Sequence, residues 1–249
     1  MRSDTQRSET QSFERFELKY WAPSARVSKL MELAREFLRE DERAGPAQVN
    51  TSLYFDSPRF LFLEQHLSGA PDRVKLRVRY YGDAPSGDCF FEIKRRQGAM
   101  VSKRRAVLSL AQARPLVSDV GGALPFENEA LQTFQYLAQR CSARPQLLVR
   151  ARRQSFGAAD RSDVRLTIDH DVAWQPTRAP HYLEPDARRW RGLSGGEQHV
   201  LVEMKFHSAR PWWLGHFAEQ LAPWRVSFSK YVAAVLEARR DPFFTMDAA

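Results

Sequence analysis

An unbroken alternation of basic and apolar residues runs through the segment 73–80. The basic positions are Arg73, Lys75, Arg77 and Arg79, and the apolar positions are Val74, Leu76, Val78 and Tyr80. Side chains of a β-strand point alternately to its two faces, so the segment predicts a strand with one buried and one cationic face. Four cations on one face repel one another unless an anion lies over them. The alternation therefore predicts an anion-binding face on a sheet.

Three other segments contain glutamate and lysine separated by one apolar residue. They are Glu17-Leu18-Lys19, Glu92-Ile93-Lys94 and Glu203-Met204-Lys205. Two more segments place charges at strand spacing, Lys103 with Arg105 and Arg165 with Asp169. Carboxylates between basic residues suit a complex of a divalent metal with polyphosphate, because such metals take oxygen ligands and the bases neutralise the remaining phosphate charge. The alternative is an ordinary antiparallel sheet with one solvated face, which alternates in the same way.

The remaining pattern predicts one α+β domain over residues 12–241, between a flexible tail at 1–11 and a second tail at 242–249. Strands are expected at 13–20, 49–55, 73–81, 89–95, 101–108, 146–154, 163–170 and 199–206. Helices are expected at 24–40, 58–66, 109–117, 126–141, 212–221 and 229–239. Short connections favour antiparallel pairing. If the sheet closes into a barrel, its charged face becomes a water-filled interior and the helices cover its apolar outside.

Composition limits the class of protein. Lys and Arg number 38 against 30 Asp and Glu, which gives a net charge of +8 and indicates an anionic partner. Hydrophobic residues make up 43% of the chain, which is typical of a globular domain and not of a disordered one. No apolar run approaches the roughly 18 residues of a membrane span. The two cysteines have no metal-ligand spacing, and we expect a soluble protein in the reducing cytoplasm.

Eight short segments, in order along nearly the whole chain, resemble one known family. They are RFELKY at 15–20, SLYFD at 52–56, KLRVR at 75–79, FEIK at 91–94, SKRRA at 102–106, RLTID at 165–169, VEMKF at 202–206 and FSKY at 228–231. This series resembles the VTC (vacuolar transporter chaperone) domain, the polyphosphate polymerase branch of the CYTH-like triphosphate tunnel superfamily. Arg15 stands where the hydrolase branches of that superfamily have a carboxylate, as it does in the polymerase branch.

The resemblance implies a fold, an activity and a set of site residues. The implied fold is a closed antiparallel β-barrel of about eight strands, a triphosphate tunnel with helices packed outside. The implied reaction uses ATP, polyphosphate and Mn²⁺ or Mg²⁺. The implied phosphate-binding residues are Lys19, Lys75, Arg77, Arg79, Lys94, Lys103, Arg153, Arg165, Ser229 and Lys230. Arg105 and Lys205 are added to this set because they share the same strand faces. The metal-binding carboxylate is Glu203, and Glu17 and Glu92 are further candidates.

Within this set, the residues with implied catalytic roles are Lys19, Arg77, Arg79, Lys94, Arg153, Arg165, Glu203 and Lys230. One assignment stays open, because Arg150, Arg152 and Arg153 are all candidates for the arginine of the family that is matched here to Arg153. The family tends to have an aromatic residue two positions earlier, where this chain has Ala151. Tyr54 is expected to pack against the sheet. Strand alternation alone does not decide which arginine points inward.

Four functions compete on the sequence. The leading one is an ATP-dependent polyphosphate polymerase, and the second is a metal-dependent triphosphate hydrolase that uses water as the acceptor. The third is a non-catalytic module that binds polyphosphate or inositol phosphates. Nucleic-acid binding ranks last, because such proteins usually expose aromatic platforms on the sheet, and we expect no nucleic-acid partner. Nothing in the sequence indicates the oligomeric state.

Overall fold

The computed structural model describes residues 15–41, 47–160, 163–207 and 210–241. The predicted tails at 1–11 and 242–249 lie outside these residues. These residues form ten strands: β1 Arg15–Pro23, β2 Leu38–Glu40, β3 Gln48–Asp56, β4 Asp72–Tyr81, β5 Asp88–Gln97, β6 Met100–Ser109, β7 Arg144–Ala158, β8 Arg165–Pro176, β9 Arg191–Gly192 and β10 His199–His207. The same described residues form six α-helices: α1 Ser24–Leu33, α2 Leu61–Leu67, α3 Leu110–Ser118, α4 Glu129–Arg140, α5 Trp212–Gln220 and α6 Lys230–Arg240.

The strands form one antiparallel sheet, which confirms the predicted α+β class. Its order is β1-β10-β8-β7-β3-β4-β5-β6, with β2 added on β7 and β9 on β8. The sheet curls strongly enough that Glu17 on β1 lies 3.8 Å from Lys94 on β5, although these strands are far apart in the order. The curled sheet therefore has a concave face that it partly encloses.

The expected closure into a barrel is wrong, because no backbone pairing joins β1 to β6 among the residues that the structure describes. The segment at Arg225 and Val226 pairs with part of the outer edge of β1. Tyr20 forms an isolated bridge with Arg225, and the Val226 amide donates to the Lys19 carbonyl at 2.9 Å. Backbone groups that pair with this segment are not available to a second strand.

The apolar residues of the alternating strands lie on the convex face of the sheet, and helices cover this face in two groups. The first group is α3 and α4, whose Leu116 and Phe134 are buried against the apolar face of β3 to β6. The second is α1 and α5, whose Leu30 and Phe217 are buried against the apolar residues of β1, β8 and β10. For these four helices, the expected position outside the sheet is confirmed.

Helix α6 corrects the prediction that every helix packs outside. Its Tyr231 stacks on Tyr54, with ring centroids 5.0 Å apart. Tyr54 is paired with Arg77 across β3 and β4, and cross-strand partners point to the same face. Val149 lies on this face as well and belongs to the same buried cluster. The helix therefore lies on the concave face and fills one part of it.

Three helix boundaries also differ from the sequence prediction, and one of them is the start of the helix expected at 126–141, which begins at Glu129 after the capping Asn128. The helix expected at 24–40 ends at Leu33, because residues 38–40 pair with β7 as the short strand β2. The helix expected from residue 58 begins at Leu61, where the Asp56 carboxylate accepts the amides of Phe62 and Leu63. None of the described helices combines the length and the apolar character that a membrane span needs.

Candidate functional site

Cross-strand pairing brings the charged residues together on the concave face. On one side of the sheet, Lys19 pairs with Glu203 across β1 and β10. On the other side, Arg77 pairs with Glu92 and Lys75 pairs with Lys94 across β4 and β5. Because directly opposed residues share a face, the alternation seen in the sequence becomes a continuous charged surface.

Glu92 is the centre of one group of charges, which we call the Glu92 cluster. Its carboxylate is buried and lies within 2.6 Å of Arg77 and Arg105, 3.0 Å of Lys103 and 3.5 Å of Arg79. Burial alone raises the pKa of a carboxyl group, but the four cations outweigh it and hold the pKa of Glu92 far below its ordinary value. One carboxylate therefore faces four cations, which leaves a large local excess of positive charge.

Glu203 is the centre of a second group, the Glu203 cluster, on the opposite side of the concave face. Lys205, Lys19, Lys230 and Arg153 lie 2.8, 3.4, 3.8 and 3.8 Å from its carboxylate. Burial raises the pKa of Glu203, but these cations lower it more, so that the pKa lies well below its ordinary value. Glu203 is therefore ionised in the folded protein.

Two more carboxylates belong to the Glu203 cluster. Asp169 accepts two hydrogen bonds from Arg153, at 2.6 and 2.7 Å, and pairs with Lys230. Glu17 lies 3.2 Å from Lys19 and also contacts Lys94 and Lys205. The cluster is therefore a mixed network in which several carboxylates share the same cations.

Lys75 differs from the other basic residues of the concave face. Its Nζ donates to the Ser229 hydroxyl at 2.8 Å, and among the described residues no carboxylate lies within 4.0 Å of it. Burial, followed by repulsion from Lys94 and Lys19, lowers the pKa of Lys75 to about 7. A half-buried lysine that no described carboxylate neutralises is a position that an anion from solution can fill.

The structure separates the three competing arginines. Arg153 faces the concave surface and binds Asp169, as described above. Arg150 contacts Asp83 and stacks over Trp190, with its guanidinium carbon 4.4 Å from the ring centroid. Arg152 pairs with Asp171 at an exposed position. Arg153 is therefore the one of the three that lies with the predicted site residues.

Two predicted residues lie towards the margin of the site. Arg165 shares the strand face and pairs with Lys205 across β8 and β10, but it is half exposed and its guanidinium lies 3.4 Å from Asp41. Arg105 reaches Glu92 but also stacks over Phe90 at 4.9 Å. Arg165 therefore lies at the rim of the concave face and Arg105 at its exposed β6 side.

Tyr54 is a site residue that the sequence analysis placed in the packing. Its hydroxyl accepts a hydrogen bond from Arg77 at 3.3 Å, inside the charged region. Burial raises the pKa of this phenol, but Arg77, Lys230 and Arg79 outweigh it and lower the pKa below its ordinary value. Strand alternation could have indicated this position, because Ser52 and Tyr54 on β3 lie opposite Arg79 and Arg77 on β4 and share their face.

The carboxylates of the concave face differ in how well they suit a divalent metal. No three metal-ligating side chains come together among the described residues, so the protein alone does not build a complete site there. Mg²⁺ is commonly held by one or two carboxylates together with substrate phosphates. Glu203 and Glu17 fit this arrangement, since both lie in one cluster and contact Lys19. Glu92 fits poorly, because both its oxygens accept bonds from arginines.

The fold and this site define an α+β protein with a curled antiparallel sheet and a cationic concave face for an anionic ligand. The family model of the VTC domain matches residues 14–238. The chain therefore belongs to the VTC domain family. No sequence among the curated proteins matches this chain.

Two solved structures resemble the protein. A candidate adenylate cyclase from Bacillus halodurans has 12% sequence identity and a TM-score of 0.50, covering 86% of this chain and 92% of that chain. A protein from Pyrococcus horikoshii OT3 has 13% identity and a TM-score of 0.41, covering 90% of this chain and 98% of that chain. Family membership and the first likeness together support a triphosphate-tunnel fold.

Proposed function

We propose that the protein is an ATP-dependent polyphosphate polymerase, which transfers the γ-phosphoryl group of ATP to a growing polyphosphate chain. The observation that carries this proposal is the excess of cations over carboxylates on the concave face, with Lys75 lacking any carboxylate partner in the described region. The VTC domain family and the tunnel-type fold support it.

The arrangement of the cations favours a linear polyanion over a single phosphate. Arg73, Lys75, Arg77 and Arg79 follow one strand, and at about 3.3 Å per residue they extend over roughly 20 Å. Cations on β1, β5, β6 and β10 face this row from the other sides of the curled sheet. A chain of phosphates can contact many of these charges at once, whereas an isolated phosphate reaches only a few.

The chemistry asks little of the protein beyond position and charge. Glu203 with Glu17 would hold a divalent metal, Mn²⁺ or Mg²⁺, which would supply Lewis-acid chemistry when bound. Arg77, Arg79 and Lys230 neutralise the charge that develops on the transferred group. The remaining predicted residues align the donor and the acceptor: Lys19, Lys75, Lys94, Lys103, Arg153, Lys205 and Ser229, with Arg105 and Arg165 at the margin of the site.

The charge state of the acceptor favours the polymerase over the hydrolase. A terminal phosphate is already anionic and needs no base to make it a nucleophile, whereas an attacking water is best assisted by one. Glu17, Glu92, Asp169 and Glu203 are each ion-paired with at least two cations. None of these four carboxylates is a basic group ready to accept a proton. Lys75 has a pKa of about 7 without ligand, but anionic phosphates beside it would raise this pKa and keep the lysine protonated. ATP as the donor agrees with the expected cytoplasmic location.

Product analysis tests the proposal. We expect purified protein with ATP and Mn²⁺ to form ADP and a ladder of phosphate chains on a polyphosphate-stained gel. Release of orthophosphate alone would identify a hydrolase. Tight polyphosphate binding without turnover would identify a non-catalytic module.

Two neighbouring arginines provide a matched pair of variants. Arg153→Met removes a cation from the concave face, and we expect product formation to fall at least about a hundredfold. Arg152→Met removes the same charge from the exposed side of the same strand, so we expect activity close to that of the unmodified protein. Equal losses in both variants would argue against a reaction on the concave face.

A further inference from the structure

The segment that leads into α6 supplies groups to two basic residues of the concave face. The Phe228 carbonyl accepts a hydrogen bond from Lys19 Nζ at 3.0 Å. The Ser229 hydroxyl accepts one from Lys75 Nζ at 2.8 Å. The positions of these two lysines therefore depend on where this segment lies.

The first residues of α6 continue this role. Lys230 pairs with Asp169 and lies 3.8 Å from Glu203. Tyr231 stacks on Tyr54, whose hydroxyl contacts the Glu92 cluster through Arg77. The start of α6 thus contacts both charged clusters, and a small displacement of it would move groups in each.

The start of α6 has no side-chain cap. Ser229 occupies the N-cap position, where serine usually accepts an amide of the first helical turn, but it makes no such bond. Its hydroxyl contacts Lys75 instead. A capping residue normally fixes the beginning of a helix, so this beginning must be held by another contact.

That contact is a buried hydrogen bond between Tyr231 and Asp56. The Tyr231 hydroxyl donates to the Asp56 carboxylate at 2.5 Å, and both side chains are buried. Asp56 is itself fixed, since it also accepts the backbone amides of Ser57, Phe62 and Leu63. Hydrogen bonds to a charged acceptor are stronger than neutral ones, and burial strengthens them further.

We propose that Asp56 and Tyr231 are positioning residues for phosphate binding, which fix the start of α6 and so hold Ser229 and Lys230 in the concave face. Neither residue touches the phosphate chain in this arrangement. The inference rests on the proposed function, but only on its binding step.

Removal of the Tyr231 hydroxyl tests the inference with little change in packing. Tyr231→Phe keeps the ring on Tyr54 and loses only the bond to Asp56. We expect the Kd for metal-free tripolyphosphate, measured by calorimetry, to rise about tenfold. Asp56→Asn, which keeps an acceptor for the α2 amides, is the second variant and should weaken binding in the same direction.

Phe134→Leu is the matched control. Phe134 is as buried as Tyr231 and lies on the convex side in the cluster covered by α3 and α4, not in the cluster that contains Tyr231. We expect this variant to lower the melting temperature at least as much as Tyr231→Phe does, because it leaves a cavity, without changing the Kd for tripolyphosphate. A general loss of stability would instead affect both variants alike.

A double-mutant comparison identifies the route of the effect. In a protein that carries Ser229→Ala and Lys230→Ala, the groups positioned by Tyr231 are gone, so Tyr231→Phe should change the Kd by less than about twofold. An unchanged Kd in the single variant, or a full effect in this background, overturns the inference. A wild-type protein that fails to bind tripolyphosphate overturns the proposed function and the inference with it.

Discussion

Lys75 is a residue whose charge depends on the ligand. Burial and neighbouring cations lower its pKa from 10.5 to about 7 in the folded protein. Between these two values the unfolded chain keeps a proton that the folded chain has lost. The free energy of unfolding contributed by this group therefore increases as the pH rises through this window.

We therefore expect the melting temperature of the ligand-free protein to rise between about pH 7 and pH 9. Lys75→Met removes the titrating group and should flatten this rise. Lys29→Met, which removes an exposed lysine of α1, serves as the control and should leave the slope unchanged. An identical slope in the protein and in Lys75→Met would contradict the assignment. Differential scanning calorimetry over this range measures it.

Glu203 is the residue at which metal binding and phosphate binding can be separated. Glu203→Gln keeps the size of the side chain and removes its charge. We expect kcat to fall on the order of a thousandfold, because the metal loses its carboxylate, while metal-free tripolyphosphate still binds the intact cations. Turnover within about threefold of wild type, roughly 0.7 kcal/mol, would exclude Glu203 from the metal site.

At the scale of single residues, strand alternation predicted much of the site. Lys75, Arg77 and Lys94 lie on the concave face as their spacing requires. Alternation could not choose between Arg152 and Arg153. It shows that neighbouring residues point to opposite faces of a strand, but not which of the two faces is the concave one. Tyr54 packs in a buried cluster as expected, but the hydrogen bond that its hydroxyl accepts from Arg77 was not predicted, because alternation describes strand faces and not the contacts of single polar atoms.

Among the elements, β4, β5 and β6 are joined by more than their backbone hydrogen bonds. Glu92 on β5 binds Arg77 and Arg79 on β4 and Lys103 and Arg105 on β6. The carboxylate thus reduces repulsion across three strands at once. Without it, four cations would lie close together without a counter-ion.

Glu92→Gln tests this role. We expect a loss of about 3 kcal/mol of stability and a melting temperature lower by about 5–10 °C, since one partner of a buried network is removed. Added tripolyphosphate should recover most of this loss, because phosphate replaces the missing negative charge. Asp72→Asn breaks an exposed ion pair with Arg95 on β4 and β5 and should change the melting temperature little. Thermal unfolding with and without ligand distinguishes the two.

Most elements were predictable, and the exceptions have tertiary causes. The helix predicted at 24–40 stops early because pairing with β7 stabilises residues 38–40 as a strand. Local periodicity contains no information about that partner. The sequence likewise did not indicate where α6 packs. Periodicity predicts that the helix has an apolar face, but not which face of the sheet that helix face contacts.

For the whole molecule, the distribution of charge predicts which polyanions bind. We expect tripolyphosphate to raise the melting temperature more than duplex DNA at equal phosphate concentration, because a ligand that binds only the folded state stabilises it. Glu17 and Lys94 approach to 3.8 Å across the concave face, which leaves no room for a duplex between them. Greater stabilisation by DNA in a thermal shift assay would contradict a site inside the curled sheet.

The curl itself could not be derived from the pattern. Alternation separates the charged face from the apolar face, but it does not fix how far the sheet bends or whether its edges meet. The contact between Glu17 and Lys94 and the segment at Tyr20 and Arg225 are long-range features of the folded chain. The resemblance to a closed tunnel predicted this closure incorrectly.

The unjoined edges of the sheet affect how a long product can leave. A fully hydrogen-bonded ring releases a polymer only by sliding it out end first. Here, within the described residues, the gap between β1 and the β5–β6 side is bridged by an ion pair and not by a backbone ladder. Ion pairs of this kind contribute little free energy and weaken in salt. The polymer that we propose as the product can therefore depart sideways through this seam, and we expect higher ionic strength to shorten its stay.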